Sequence, residues 1–326
     1  MIISKTPFRM SFFGGGTDVP DYFMENEGAV ISSTFNKYCY VSVRNLPDFF
    51  EHKNQINYSE IERTKCVEEI KHPLIRETMK YLKADNLIIN YDADLPARSG
   101  LGTSSSFAVG LINSILHMER KNVSKMELAK KAILIERDIC KEDGGWQDQI
   151  AASYGGLNKI SFNKNGFSVK KINVSDSFLS ILNNHLMLFF TGFTRMSFEI
   201  QKVNKKKSKS QIESLNSIKT IVDYAEDCFS KGQVEEIGRL LDYSWDLKKK
   251  SANKMSNDII DEAYSIAKRN GAIGGKLLGA GGGGFMIIFA NPQYHKAIRE
   301  GLKSFVEVPF KFEDKGSEII FNSTEA

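Results

Sequence analysis

Apolar residues recur along this chain at two spacings, and their succession predicts strands and helices in one protein. Near the start, Ile2-Ile3 and Phe8-Arg9-Met10-Ser11-Phe12-Phe13 alternate weakly, the pattern of a half-buried strand. From Gly28 to Val43, β-branched and aromatic residues dominate, which predicts a pair of strands or one long one. Leu87 to Tyr91 reads as a short buried strand. Helical spacing then takes over. Phe107, Ala108, Leu111, Ile112, Ile115 and Leu116 form an apolar stripe that ends near Met118. Ser124-Lys125-Met126-Glu127 has the spacing of a capping box, in which the Ser and Glu side chains satisfy free backbone N–H groups at a helix start. The helix it opens carries Leu128, Ala132, Ile135 and Ile139.

After Tyr154-Gly155-Gly156, short strands continue to about Val174, and Leu186 to Phe190 follows as another apolar run. Two long helical patterns occupy Ser210 to Ser230 and Val234 to Lys250. A helix from Asp258 to Asn270, a glycine cluster, a strand from Phe285 to Ala290 and a helical stretch from Gln293 to Lys303 complete the pattern. A chain of 326 residues allows two domains at roughly 150 residues each. The pattern places a boundary near residue 170, giving domains 1–170 and 171–326, without internal repeats.

Composition narrows the function classes. The 41% apolar content is ample for two cores. Lys plus Arg number 44 against 40 Asp plus Glu, so the net charge of +4 gives no ground for a nucleic-acid partner. The lysines at 205 to 207 and 209 read as a solvated loop. Cys39, Cys66, Cys140 and Cys228 are widely spread, which predicts free thiols rather than a disulfide framework or zinc site. The first residues lack a signal-peptide pattern, and no apolar run has the length of a membrane span. The expectation is a cytoplasmic protein.

Three glycine-rich loops carry the candidate chemistry. In Phe13-Gly14-Gly15-Gly16-Thr17-Asp18, glycines let backbone approach an oxygen-rich ligand, and Asp18 offers two acceptors suited to hydroxyl groups; a tight turn with Asp18 as a cap fits equally. Gly100-Leu101-Gly102-Thr103-Ser104-Ser105-Ser106 precedes the stripe from Phe107. It reads as a Ser-rich helix cap or as an anion cradle, since helix N-termini present N–H groups and a positive dipole end. In the third, Gly279-x-Gly281-x-x-Gly284 leads into a strand where a dinucleotide-binding loop would open a helix. Gly275-Lys276 lacks the hydroxyl and the first glycine of a P-loop. A glycine hairpin between two strands, beside a lysine, is left.

The order of these loops is more specific than any one of them. Pro7-x-Arg9 leading into Gly14-Gly15-Gly16-Thr17-Asp18, then Pro96-x3-Gly100-Leu101-Gly102-Thr103-Ser104-Ser105, then Lys276-x2-Gly279-Ala280-Gly281-x-Gly283-Gly284 resembles the GHMP kinase superfamily over nearly the whole chain. Phe13 to Tyr22, Gly144-Gly145-Trp146-Gln147-Asp148-Gln149 and Thr191-Gly192-x2-Arg195 most resemble the bacterial kinases of D-glycero-D-manno-heptose 7-phosphate, with the L-fucokinase type next. Galactokinases carry a Glu-His pair where this chain has Gly15-Gly16, which argues against galactose.

The resemblance implies an α+β, two-domain fold. An N-terminal domain like ribosomal protein S5 domain 2 joins a ferredoxin-like C-terminal domain, with the active site between them. It implies ATP and Mg²⁺, a small sugar phosphate as acceptor, and phosphorylation at C1 in the supply of nucleotide-activated heptose for surface polysaccharide. It implies no nucleic-acid or membrane partner, and a monomer or homodimer. By the family's pattern, Pro96, Gly100, Leu101, Gly102, Thr103, Ser104, Ser105 and Ser106 hold the triphosphate. Ser104 and Glu136 ligate the metal, Asp148 is the catalytic aspartate, and Arg9 stands beside it. Gly15, Gly16, Thr17 and Asp18 meet the sugar, and Gly281, Gly282 and Gly283 close over phosphates or sugar. Arg195, Arg98 and Lys276 are candidates for the 7-phosphate, because cationic side chains match phosphate. A non-catalytic sugar sensor is the alternative of another class. Retention of Arg9, Ser104, Glu136 and Asp148 argues against it.

Overall fold

The computed structural model describes residues 1–97, 99–192, 209–251, 256–279 and 281–323. The chain opens with β1 (Ile2–Phe13), α1 (Pro20–Asn26), β2 (Gly28–Asn45), β3 (Asn54–Asn57), β4 (Ile61–Thr64), α2 (Pro73–Leu82) and β5 (Leu87–Ala93). Next come α3 (Thr103–Met118), α4 (Lys125–Ile133), a π turn over Leu134–Ile139, α5 (Gln147–Tyr154), β6 (Leu157–Asn163), β7 (Gly166–Lys171), α6 (Asp176–His185) and β8 (Leu186–Phe190). The remainder is α7 (Lys209–Ser230), α8 (Val234–Ser251), α9 (Asp258–Arg269), β9 (Ala272–Leu277), β10 (Phe285–Ala290), α10 (His295–Gly301), β11 (Val306–Glu307), β12 (Phe312–Glu313) and β13 (Glu318–Asn322).

β2 settles the question its sequence left open. It is one strand of 18 residues. It stays whole because its partners change along its length. β1 pairs one edge, while the other pairs β6 from Gly28 to Ser33, β12 at Thr34 and Phe35, and β5 from Cys39 to Asn45. The resulting sheet has nine strands, with the path β13-β1-β2-β5-β3-β4. A second, antiparallel sheet has the order β11-β8-β10-β9.

The last strands leave the second sheet's region and return to the first. β13 pairs with β1, and β12 with β2. A single division at residue 170 therefore separates strands that share one sheet. The apolar core crosses the same division: Phe12 and Phe13 of β1 meet the ring of Phe229 from α7 at 6.1 and 6.4 Å. Tyr22 on α1 donates to Asn216 Oδ1 of α7 at 2.6 Å, and Leu215 and Ile218 pack among Phe23, Val30 and Ile160. The long helices thus roof part of the first sheet as well as covering the second.

Local signals hold where they were strongest. Ser124 and Glu127 make both hydrogen bonds of the capping box. α3 lies against β1, with Ser4 Oγ donating to Gly110 O at 2.9 Å. All four cysteines are free. Among the described residues, no helix is long and apolar enough to cross a membrane.

Candidate active site

Four segments converge where β1 passes the start of α3: β1 itself, the loop before α3, the loop Gly14–Asp18, and the start of α5. Arg9 on β1 grips Asp148 in the first turn of α5 from two sides. Its Nε donates to Oδ1 and its Nη2 to Oδ2, each at 2.8 Å. Its third arm, Nη1, donates to Gly100 O at 2.8 Å. One planar guanidinium thereby fixes the carboxylate relative to the glycine loop, a geometry lysine cannot supply. The Arg9 side chain is 5% exposed and that of Asp148 is 21%, so the pair is buried on one side and reachable on the other.

Gly100 to Ser106 lead into the first turn of α3. Its N-cap is Gly102, in the left-handed region at φ 71°, and no side chain caps the helix. Gly102 has no side chain with which to cap it, and the positive end of α3 is suited to an anion. The end lies at the ion pair: a Cβ on Gly102 would stand 3.2 Å from Asp148 Oδ2 and 3.3 Å from Arg9 Cγ.

The hydroxyls of this loop divide. Ser104 is exposed, and its Oγ donates to Glu136 Oε1 at 3.1 Å. Ser105 is buried and bonds to Glu136 as well. Thr103 is buried at the helix start. Leu101 is a core side chain whose carbonyl accepts from Arg9 N, and Pro96 is exposed in the approach to the loop. Ser106 departs from its expected place at the triphosphate. It is fully buried, and its Oγ donates to Pro7 O at 2.9 Å, pinning α3 to β1.

Glu136 sits on the π turn that continues α4, a distortion that often marks functional positions. It is fully buried, accepts from Gln149 Nε2 at 2.6 Å, and its pKa is raised by burial against the opposing pull of Arg137. The neighbouring Gln149 Oε1 is buried with no hydrogen-bond partner. A buried carboxylate, a hydroxyl beside it and an orphaned amide oxygen form a set of hard oxygens that fits Mg²⁺. Among the described residues, no cluster of three or more His, Cys, Asp or Glu could hold a metal alone. Phosphate oxygens and water would have to complete the shell, which is how Mg²⁺ is usually held at nucleotides.

In the first glycine loop, Asp18 is 3% exposed. Its Oδ1 accepts from Gly16 N at 2.9 Å and its Oδ2 from Gln147 N at 3.4 Å. Burial, and then the charge on Asp148, push its pKa up. The start of α5 rides directly on this carboxylate, since a Cβ on Gly145 would fall 1.8 Å from Asp18 Oδ2. Gly15 and Gly16 are partly exposed above it. Thr17 does not face a ligand as expected. Its hydroxyl is fully buried between Gly14 O and Ala29 O, both at 2.8 Å, and it ties the loop to β2.

The third glycine loop docks on the second. A Cβ on Gly279 would lie 2.4 Å from Gly100 Cα, and one on Gly284 would lie 2.3 Å from Ser99 O. These glycines are needed because two backbones touch there. Gly281, Gly282 and Gly283 are buried in the same hairpin, and Gly282 O accepts from Asn257 Nδ2 at 3.3 Å. Lys276 is 3% exposed and donates to Phe12 O at 3.0 Å, so it faces the interior rather than standing open to a phosphate as expected. Burial, Lys248 and Arg9 hold its pKa well below the usual lysine range. Arg98 and Arg195 lie outside the described residues.

Two side chains at the site escaped the sequence reading. Gln149 stands in the quoted Gly144–Gln149 motif and could have been singled out there. Lys248, whose Nζ donates to Gly279 O at 2.6 Å, is one of three adjacent lysines on a long amphipathic helix and had no motif to mark it.

Known proteins resemble the chain over most of its length. Residues 67–156 match the family model for the GHMP kinases N terminal domain, and residues 225–308 the one for GHMP kinases C terminal. The chain is 30% identical over 318 residues to the D-glycero-alpha-D-manno-heptose 7-phosphate kinase of Campylobacter jejuni, covering 92% of this chain and 93% of that one. It is 24% identical to the bifunctional fucokinase/GDP-fucose pyrophosphorylase of Arabidopsis thaliana, over 94% of this chain and 32% of that protein. The crystal structure of a D-glycero-D-manno-heptose 1-phosphate kinase from Bacteroides thetaiotaomicron superposes with a TM-score of 0.82 at 24% identity, covering 99% of each chain. With both family domains matched in order, a relative aligned from end to end, and an α+β fold of two sheets in common, the chain belongs to the GHMP kinases.

Proposed function

We propose that this ATP-dependent sugar kinase transfers the γ-phosphoryl group of ATP to the anomeric C1 hydroxyl of D-glycero-D-manno-heptose 7-phosphate, giving the 1,7-bisphosphate used for nucleotide-activated heptose. The observation that carries the chemistry is the bidentate Arg9–Asp148 pair at the uncapped N-terminus of α3. The relative that is 30% identical over 92% of the chain supports the acceptor.

In this reading the Gly100–Ser105 loop and the end of α3 receive the phosphates through backbone N–H groups and the helix dipole. Ser104 and Glu136 would hold Mg²⁺, which supplies charge neutralisation at the phosphate oxygens. Asp148 accepts the proton of the anomeric hydroxyl on its exposed side, while Arg9 holds both its oxygens in place. Asp18, supported by Gly16 and Gln147, accepts hydrogen bonds from acceptor hydroxyls. Fixing the hydroxyl beside the phosphoryl group accounts for much of the rate, because positioning replaces an encounter of separate molecules.

An acceptor panel tests the proposal. With ATP and Mg²⁺, release of ADP is followed for heptose 7-phosphate, L-fucose and D-mannose. The expected result is a kcat/KM for the heptose phosphate at least tenfold above the others. A preference for L-fucose would move the chain to the fucokinase type and end the heptose reading. No turnover with any acceptor, together with tight sugar binding, would make it a sensor.

A further inference from the structure

α8 brings one charged group toward the site, and no role assigned so far uses it. Lys248 Nζ donates to Gly279 O at 2.6 Å. Gly279 is the residue whose backbone packs on Gly100, and Gly100 O accepts from Arg9 Nη1 at 2.8 Å. A continuous path of contacts therefore runs from α8 through two glycine loops to the guanidinium that grips Asp148. The ammonium of Lys248 also feels Arg9 on β1, Asp18 in the first glycine loop and Lys276 on β9. Its hydrogen bond to Gly279 O places it at the hairpin that docks on the phosphate loop.

Arg9, Lys248 and Lys276 gather against Asp18 and Asp148, and both of the Arg9–Asp148 hydrogen bonds are internal to that pair. Burial and then Arg9 bring the Lys248 pKa down to about 8. A cleft that gathers cationic side chains suits an anion. A phosphoryl group in transfer is such an anion, with charge spread over its oxygens.

We propose that Lys248 is a further residue of the phosphoryl-transfer site, contacting the transferred group from the second sheet's side while its hydrogen bond to Gly279 holds the glycine hairpin on the phosphate loop. This rests on the assignment of Arg9, Asp18 and Asp148 to that site. It does not depend on which sugar is the acceptor.

The test uses Lys248→Met, which keeps the length of the side chain, and Lys248→Arg. The Met variant is expected to lose about 10²-fold in kcat, the scale for one preorganised donor, with the affinity for a non-hydrolysable ATP analogue within threefold of wild type. The Arg variant is expected to recover at least tenfold of that loss. In the unmodified enzyme, kcat/KM should fall on an alkaline limb near pH 8, since a lysine loses its charge as pH rises through its pKa. That limb should move upward in the Arg variant. A Met variant with kcat within threefold of wild type and only a lower Tm would make Lys248 a structural strut and overturn the proposal. So would an alkaline limb that is the same in wild type and the Arg variant. An Asp148→Asn variant that stays active would instead remove the site assignment beneath it.

Discussion

Replacing Asp148 by Asn changes one atom at the point where the site's geometry is most constrained. The carboxylate accepts from Arg9 Nε and Nη2, both at 2.8 Å, and the amide keeps only one of those acceptors. Its NH₂ group then faces an N–H donor, and Arg9, 5% exposed, loses its counter-ion. Breaking a fully buried ion pair from one side costs about 3–5 kcal/mol. Asp148 is 21% exposed and one hydrogen bond survives, so a loss of roughly 2 kcal/mol in stability is expected. The kinetic effect is larger. Loss of a positioned proton acceptor lowers turnover by about 10²–10⁴, or about 3–5 kcal/mol in activation free energy. Binding of the nucleotide should change less than threefold, because the uncapped end of α3 is untouched. ADP release measured by a coupled assay gives kcat, calorimetry with an ATP analogue gives Kd, and thermal unfolding gives the stability change. Turnover within tenfold of wild type would refute the assignment of Asp148. A fall in nucleotide affinity in step with turnover would show instead that the pair supports the pocket's shape.

Three further outcomes follow from the same geometry. Ser104→Ala should raise the Mg²⁺ concentration needed for half-maximal activity with little change in Tm, whereas Ser106→Ala should lower stability by about 1 kcal/mol and leave the Mg²⁺ dependence as it is; titration of Mg²⁺ against rate, with thermal unfolding, separates them. Glu136→Gln should abolish most Mg²⁺-dependent turnover yet be at least as stable as wild type at pH 8 without metal. The folded-state pKa of Glu136 is raised by burial, so its ionisation opposes folding as pH rises above the ordinary carboxylate range. Denaturant unfolding at pH 5 and pH 8 measures this, and a Gln variant that loses more stability at pH 8 than at pH 5 would contradict it. Gly279→Ala, with φ at 80° and a Cβ 2.4 Å from Gly100 Cα, should raise the KM for ATP and cost about 2 kcal/mol or more in stability. Gly15→Ala is its control. Among the described residues, a Cβ there would meet only Ser11 Oγ, at 3.5 Å, so its thermal unfolding should match wild type.

Much of this protein is legible in its sequence because the relevant physics is local. The capping box at Ser124, the stripe from Phe107 and the apolar runs at Leu186 and Phe285 each specify their element through neighbouring residues alone. The order of the three glycine loops was enough to resemble a family. Glu136 carried no such local sign: its spacing alone reads as a solvent-facing helical carboxylate, and only the family's pattern singled it out.

What the sequence left open depended on contacts between distant residues. The short strands β3, β4, β12 and β13 have little pattern of their own and exist through their partners. Thr17 and Ser106 look like their neighbours in a glycine or serine motif. Only the arrival of Ala29 and Pro7 beside them turns their hydroxyls inward. Lys276 and Lys248 are likewise ordinary lysines until β9 and α8 bring them against β1 and the glycine hairpin. By itself, the sequence determined the strongly patterned elements, the family and the loops that carry the candidate chemistry, since spacing and residue type act over a few positions. The tertiary structure alone decided which hydroxyls turn inward, why the third glycine loop must be glycine, and which lysines meet the glycine hairpin and β1. Those outcomes depend on groups from separate elements meeting, from 12 positions of chain apart at Thr17 and Ala29 to 264 at Lys276 and Phe12.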